Sequence, residues 1–244
     1  LHHDARPAGA EPTGPAGFAM PTVSTNWPPT AEGAIARQQI HDAGYGNVTM
    51  LMRNSDGSWQ GQALKGDTYY MISTTMKLTP GAPILRSYDL VNWEIVNYVY
   101  DVMEVTDTNA LRNGYSAYGQ GQWASTLRYH DGTFYALMNS NNNGHAYLFT
   151  TTDIEKGQWE KHSYNRSFHD PNIFFDGDTP YIVYGSSSMQ IAQMSPDLHS
   201  VISDRVAATT TSAINNTGLS TSDVMGGGWE GNQVEYINGY YYVL

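Results

Sequence analysis

Two carboxylic acids in this sequence lie in settings that suit catalysis. Asp170 directly precedes an apolar run, and a carboxylate at the entrance of a sheet is unfavourable unless it is hydrogen-bonded or takes part in chemistry. Glu230 lies between Trp229 and Gly231. A carboxyl group can protonate a leaving oxygen, and an indole ring can stack on the apolar face of a sugar. Two such acids in one pocket with aromatic side chains would suit the hydrolysis of a glycosidic bond.

A repeated unit indicates which elements would bring these residues together. A small turn followed by an aromatic strand occurs at residues 66–72, 131–137, 177–183 and 238–244. After the first three copies, an apolar strand runs into a Ser/Thr-x-Asp-Leu/Ile turn at residues 84–90, 147–154 and 191–198. Trp93 and Trp159 each open a further strand. The aspartates of these turns recur at one position, so we interpret Asp89, Asp153 and Asp197 as turn-forming rather than catalytic.

The order of strands and turns predicts an all-β fold of the β-propeller type. Each period of roughly 45 to 65 residues holds about four strands, which is typical of a propeller blade. A β-sandwich is the alternative, since it also has short, evenly spaced strands, but it does not predict the same turn and tryptophan in the same order. The innermost strands of a propeller converge on one axis. With innermost strands at residues 121–129, 169–173 and 229–236, the axial pocket would contain Trp123, Asp170 and Glu230.

The composition argues against several classes of partner. The 244 residues carry a net charge of −11 with only 12 Lys and Arg and no basic run, so nucleic acid is not an expected partner. No apolar run is long enough to span a bilayer, and the lack of cysteine excludes disulfides and thiolate metal sites. Three Asn-X-Ser/Thr sequences favour secretion only weakly, because the pattern is common by chance.

The sequence also predicts a division of the chain. Residues 1–45 are rich in Pro, Ala and Gly and are expected to form a poorly ordered leader or linker, with a short helix over Ala31 to His41. Residues 46–244 contain the repeats and are expected to form the propeller domain.

The repeated strands resemble those of glycoside hydrolase family 43, which contains β-xylosidases and α-L-arabinofuranosidases. The matching stretches are GDTYYMISTTM, PGAPILRSYDLVNWEIVNYVY, GQGQWASTLRYHDGTFYAL, HDPNIFFDGDTPYIVYGSS and WEGNQVEYINGYYYVL, over residues 66–244. The resemblance implies a five-bladed β-propeller, of which about three and a half blades are represented here. It further implies an inverting, extracellular glycosidase that releases xylose or arabinofuranose from xylan, arabinan or arabinoxylan of plant cell walls.

The resemblance also implies roles for individual residues. Glu230, followed by Gly231, matches the general acid of the family, and Asp170 matches the aspartate that tunes the pKa of that acid and orients it. Trp123 matches an aromatic residue of the pocket. Trp123 and Trp229 fit either sugar stacking or core packing, and His169 is expected to be a pocket or packing histidine. The eight histidines show no metal-ligand spacing, so no metal site is predicted, and Ca²⁺ is implied by the resemblance alone.

The third acid of the family, an aspartate that activates the attacking water, has no clear counterpart. Its expected position falls on Trp59, in a segment that lacks the Pro-Asp-Pro-like motif of the family. Asp56 is the nearest carboxylate and is the candidate base, although it is out of register, and a slip of one residue turns a strand side chain to the other face. The alternative function is therefore a catalytically inactive propeller fragment or a sugar-binding module without a general base.

Overall fold

The computed structural model of the protein describes residues 31–65, 67–215, 217–220, 223 and 230–244. The chain divides into two compact units, one that ends at residue 66 and one that runs from Asp67 to Leu244. Among the described residues, no helix combines the length and the apolarity needed to cross a bilayer.

The described part of the smaller unit is a helix followed by a hairpin. Helix α1 (Ala31–Asp42) confirms the short helix predicted in this segment. Strands β1 (Tyr45–Arg53) and β2 (Trp59–Lys65) pair antiparallel in a two-stranded sheet. Arg53 of β1 forms an exposed ion pair with Glu32 of α1, with 2.7 Å between Nη1 and Oε2.

The larger unit consists of antiparallel sheets in which each strand pairs with the next one along the chain. In its described residues there are four sheets. The first contains β3 (Tyr69–Ile72), β4 (Gly81–Ser87) and β5 (Glu94–Tyr100). The second contains β6 (Gln122–His130), β7 (Thr133–Ser140), β8 (His145–Thr151) and β9 (Glu160–Ser163). The third contains β10 (Asn172–Asp176), β11 (Thr179–Tyr184), β12 (Ser188–Met194) and β13 (Val201–Thr209), and the short helix α2 (Thr210–Ile214) follows it. The fourth contains β14 (Val234–Ile237) and β15 (Tyr240–Val243). The predicted all-β fold is thereby confirmed.

The turns that the sequence marks join the strands as predicted. Glycines with positive φ close the hairpins β6–β7, β10–β11 and β14–β15, namely Gly132 at 80°, Gly177 at 57° and Gly239 at 87°. The recurring aspartates are turn-forming, since the side chains of Asp89, Asp153 and Asp197 each accept a backbone N–H two residues further along the chain.

The first three sheets pack face to face, and the second sheet is buried on both sides. Ala136 and Met138 of β7 belong to a core shared with the first sheet, which includes Ile84. Leu137, between them, points the other way, into a core shared with the third sheet that includes Ile173. Side chains alternate between the two faces of a strand, so β7 contributes to both cores.

The first strands of the four sheets lie next to one another. Strand β10 contacts both β6 and β14, and β3 also contacts β6. Residues that open or precede β6, β10 and β14 can therefore meet in space although they are far apart in the sequence.

Candidate active site

Three titratable side chains meet at the entrance to β10 and β14. The Nε2 atom of His169 lies 3.1 Å from Oε1 of Glu230 and 3.9 Å from Oδ2 of Asp170. The three groups offer oxygen or nitrogen atoms that all lie within 4.8 Å of one another. His169 and Glu230 are 61 residues apart in the sequence. The structure thus brings together both acids that the sequence singled out and the histidine between them.

The three side chains differ in their exposure to solvent. The Asp170 side chain is 18% exposed, whereas that of Glu230 is 61% exposed and that of His169 is 46% exposed. Asp170 is therefore the more buried of the two acids, and Glu230 is the more exposed to solvent. A large molecule approaching from solvent would meet Glu230 and His169 before it met Asp170.

The segment before β10 is fixed by buried hydrogen bonds. Phe168 is fully buried, and the side chain of Asn139 on β7 binds both its backbone N–H, at 2.9 Å, and its carbonyl oxygen. The carbonyl oxygen of His169 accepts a hydrogen bond of 2.8 Å from the N–H of Gly185. Asp170 has a left-handed backbone with φ of 45°, a conformation that aspartate tolerates better than most residues.

The segment that contains Glu230 is also held by a hydrogen bond to Gly185. Asn232 is 2% exposed and donates a hydrogen bond of 3.2 Å to the carbonyl oxygen of Gly185. Gly185 therefore holds His169 through its N–H and the Glu230 segment through its carbonyl. Gly185 has a φ of +113°, and an added Cβ would lie 2.2 Å from the carbonyl oxygen of Ser188. This position therefore requires glycine.

A polar cluster of Thr126, Arg128, Asn172 and Gln233 joins β6, β10 and β14 beneath the acids. Asn172 is 1% exposed and donates to Gln233 Oε1 at 2.9 Å and to Thr126 Oγ1 at 3.3 Å. Its Oδ1 accepts from the N–H of Val234 at 3.3 Å. Arg128 donates to the carbonyl oxygens of Ile173, at 2.9 Å, and of Val234, at 3.2 Å.

Arg128 and Arg166, for which the sequence predicts no role, both have a structural one. The guanidinium group of Arg166 pairs with Asp204 at 2.8 Å and donates to the hydroxyl of Tyr184 at 2.6 Å. It also lies over the ring of the buried Phe168, with 4.8 Å to the centroid. The partners of both arginines are distant in the sequence and could not be identified from it.

The remaining predicted site residues are placed as follows. Trp123 lies on β6 with 42% of its surface exposed. Trp229 lies outside the described residues. Asp56 lies in the turn between β1 and β2 of the smaller unit, where its Oδ1 accepts hydrogen bonds from the N–H and the hydroxyl of Ser58 at 2.9 and 2.6 Å. These hydrogen bonds, the hydroxyl bond foremost, lower the pKa of the Asp56 carboxyl group.

A separate cavity of about 280 Å³ adjoins the start of β6. Its lining combines apolar and polar residues, among them Tyr100, Met103, Glu104 and Gln122. Gln122 is 1% exposed, and its Oε1 has no hydrogen-bond partner among the described residues. His169, Asp170 and Glu230 do not line this cavity.

The cluster of His169, Asp170 and Glu230 combines two acids with an imidazole that can donate or accept a proton. Within the described residues it is also the one group of three side chains whose atoms are close enough to hold a metal ion. Ca²⁺ takes about six to eight oxygen ligands, of which this group supplies carboxylate oxygens from two residues only. The arrangement suits proton transfer to a ligand that enters from the side of Glu230.

Comparison with known proteins identifies the relatives of this chain. Residues 45–244 match the family described as Glycosyl hydrolases family 43. A beta-xylosidase from Formosa agariphila is 36% identical over 157 residues, which cover 61% of this chain and 26% of that protein. A non-reducing end alpha-L-arabinofuranosidase from Bacteroides ovatus is 35% identical over 116 residues, which cover 46% of this chain and 21% of that protein.

The fold has solved counterparts as well. The structure of a bifunctional GH43-CE protein of Bacteroides eggerthii matches with a TM-score of 0.64 and 37% identity, over 82% of this chain and 24% of that one. The chain thus spans about a quarter of the length of these three relatives.

Proposed function

The chain belongs to glycosyl hydrolase family 43, and on that premise we propose that the protein hydrolyses glycosidic bonds and releases xylose or arabinofuranose from plant cell-wall polysaccharides. The observation that carries the proposal is the meeting of Asp170 and Glu230, 60 residues apart, at one partly exposed point. The names of the relatives, beta-xylosidase and alpha-L-arabinofuranosidase, support the choice of sugar.

Glu230 is the general acid in this proposal, and Asp170 supports it. Glu230 is the more exposed of the two and can reach the oxygen between two sugars, whereas Asp170 is the more buried. The proton passes from Glu230 to the glycosidic oxygen as the bond from that oxygen to the anomeric carbon breaks, and the bonding electrons stay with the oxygen. The oxygen of a water molecule bonds to the anomeric carbon from the opposite face, and the water gives a proton to the base. Trp123 is exposed enough to offer its indole ring to a sugar face.

The proposed reaction inverts the anomeric centre and needs a third carboxylate. An acid and a base that act across a water molecule stand about 6.5–9.5 Å apart, whereas oxygens of Asp170 and Glu230 lie within 4.8 Å. Asp170 therefore cannot be the base of an inverting reaction in which Glu230 is the acid. Asp56 is the candidate for that role because it is the carboxylate nearest to the expected position in the sequence.

The architecture proposed for the whole domain is a five-bladed β-propeller. Support comes from the antiparallel sheets that pack face to face and from the adjacent first strands β6, β10 and β14. Xylan, arabinan or arabinoxylan is the proposed partner, and the proposed location is outside the cell, where these polymers occur. The acidic net charge of −11 offers no support for binding nucleic acid.

The test is turnover of 4-nitrophenyl β-D-xylopyranoside and 4-nitrophenyl α-L-arabinofuranoside by the full-length protein. Glu230→Gln should lower kcat by about 100- to 10,000-fold, the contribution typical of a general acid. Glu160→Gln, an exposed glutamate on β9, is the matched control and should leave kcat unchanged. A kcat of Glu230→Gln that stays within about tenfold of the wild-type value would disprove the assignment of the acid. Sugar binding without turnover by the wild type would favour a binding module instead.

A further inference from the structure

The side chain of Glu230 is more exposed to solvent, and has fewer hydrogen-bond partners, than we expect of a proton donor. It is 61% exposed, and within the part of the chain that the structure describes its carboxylate has a single side-chain hydrogen-bond partner, His169. A glutamate on an exposed segment samples several rotamers, and fixing it costs conformational entropy. A general acid must nevertheless hold its proton within hydrogen-bonding distance of the leaving oxygen. Whatever orients Glu230 therefore contributes to the reaction.

The backbone of His169 and of the residue before it, in contrast, is held in place by hydrogen bonds. Its carbonyl oxygen is bound by Gly185, and the preceding residue, Phe168, is fully buried with both backbone groups bound by Asn139. The ring of Phe168 packs edge-on against Tyr184, with 5.1 Å between centroids. The backbone of His169 is thus a fixed point from which its imidazole reaches Glu230.

We propose, on the basis of the function proposed above, that His169 is the positioning residue of the general acid. The neutral imidazole donates its Nε2–H to Oε1 of Glu230, at the observed 3.1 Å, and leaves Oε2 to carry the proton that is transferred. When that proton moves to the glycosidic oxygen, Glu230 becomes a carboxylate and still accepts the hydrogen bond from His169. A hydrogen bond to a charged acceptor is stronger than one to a neutral acceptor, so the contact gains strength as the transition state forms.

This role predicts a dependence on the leaving group that a packing role would not produce. A poor leaving group such as phenolate needs an advanced proton transfer, whereas 2,4-dinitrophenolate leaves without protonation. Loss of the His169 hydrogen bond should therefore slow hydrolysis of phenyl glycosides and have little effect on dinitrophenyl glycosides. A residue that only supported the fold, or only bound the sugar, would affect both to the same degree.

The experiment compares His169→Phe, which keeps a ring but has no donor, with His169→Gln, whose side-chain amide can donate from a similar position. The readout is kcat/KM of the full-length protein on a series of aryl glycosides that runs from phenyl to 2,4-dinitrophenyl. His169→Phe should lose about 10- to 100-fold on the phenyl glycoside, as expected for a hydrogen bond to a charged group, and less than about twofold on the dinitrophenyl glycoside. His169→Gln should recover most of the loss. The matched control is His199→Phe, at a histidine with similar exposure of 49%, and should change neither rate.

Several results would overturn the inference. An equal loss on every substrate, a rise in KM at constant kcat, or failure of His169→Gln to recover activity would each assign His169 to folding or to sugar binding. Unchanged rates in His169→Phe would show that His169 has no role in the reaction. If the wild type hydrolyses the series while the His169 variants show one of these patterns, the proposed function stands and this inference alone fails. If the wild type hydrolyses none of the series, both fail.

Discussion

Replacement of Asn172 by leucine should destabilise the protein because the Asn172 side chain forms a hydrogen bond with the edge of β14 that faces away from β15. In the β14–β15 hairpin, Gln233 and Leu244 exchange both backbone hydrogen bonds, at 3.1 and 2.9 Å. The next residue, Val234, therefore directs its N–H away from β15, since the two kinds of pair alternate along an antiparallel ladder. That N–H binds Oδ1 of Asn172, and the carbonyl of Val234 accepts from Arg128. The two side chains act as a substitute for a neighbouring strand.

The expected loss can be worked out from these bonds. Leucine has the same branching as asparagine but no polar atom, so the buried N–H of Val234 loses its partner at a cost of about 1–3 kcal/mol. The bond of 2.9 Å to Gln233 is lost as well, which adds about 0.5–1.5 kcal/mol. We expect Asn172→Leu to lower the free energy of unfolding by about 1.5–4.5 kcal/mol in total. Because the two acids lie shortly before β10 and β14, activity should fall at least about tenfold even where the variant remains folded.

The assay is urea denaturation of the full-length protein, followed by tryptophan fluorescence, together with kcat/KM on an aryl glycoside. Asn92→Leu is the matched control, since Asn92 is exposed in a turn and its side chain donates a hydrogen bond to the side chain of Asp89. The control should cost about 0.5 kcal/mol or less. If Asn172→Leu is no less stable than the control, the polar cluster does not hold the strands together and the reasoning is refuted.

Three further predictions concern the glycine, a histidine pair and the stereochemistry. Gly185→Ala should lose both stability and activity, because the new Cβ would stand 2.2 Å from the carbonyl oxygen of Ser188; a thermal midpoint and kcat/KM equal to those of the wild type would contradict this. The pKa of His162 is lowered, first by burial and then by the charge of His199, so the folded state resists protonation of His162 and loses stability as the pH falls below the usual histidine pKa of about 6.5. His162→Asn should flatten the stability profile between about pH 7 and pH 5, and an unchanged profile would contradict the assignment. Proton NMR of the first product should show inversion at the anomeric carbon, whereas retention would reassign Asp170 as a nucleophile.

The local structure was predictable because its signals are local. The small turn and aromatic strand at residues 177–183, the aspartate turns and the strands that follow Trp93 and Trp159 depend on residues that are adjacent in the sequence, and the structure contains all of them. The repeat also indicated which strands come first in each sheet, and this placed Asp170 and Glu230 near one another.

The hydrogen bonds that hold the site residues in place could not be predicted in the same way. Asn139, Asn172 and Asn232 are ordinary polar residues in the sequence, and their partners are 29, 62 and 47 residues away. Such hydrogen bonds depend on how whole sheets pack, and a single sequence gives no sign of which distant backbone groups will lack a partner. The contact between His169 and Glu230 escaped prediction for the same reason, although each residue had been singled out.

The central claim is that Asp170 and Glu230 act as one unit on one sugar, and a double-mutant cycle tests it most directly. The kcat/KM of Asp170→Asn, Glu230→Gln and the double variant would be compared with that of the wild type on the phenyl glycoside. Residues that act as a unit are strongly non-additive, so the double variant should fall within about threefold of Glu230→Gln alone. If the losses of the two single variants multiply in the double variant, the acids act independently and the claim is contradicted.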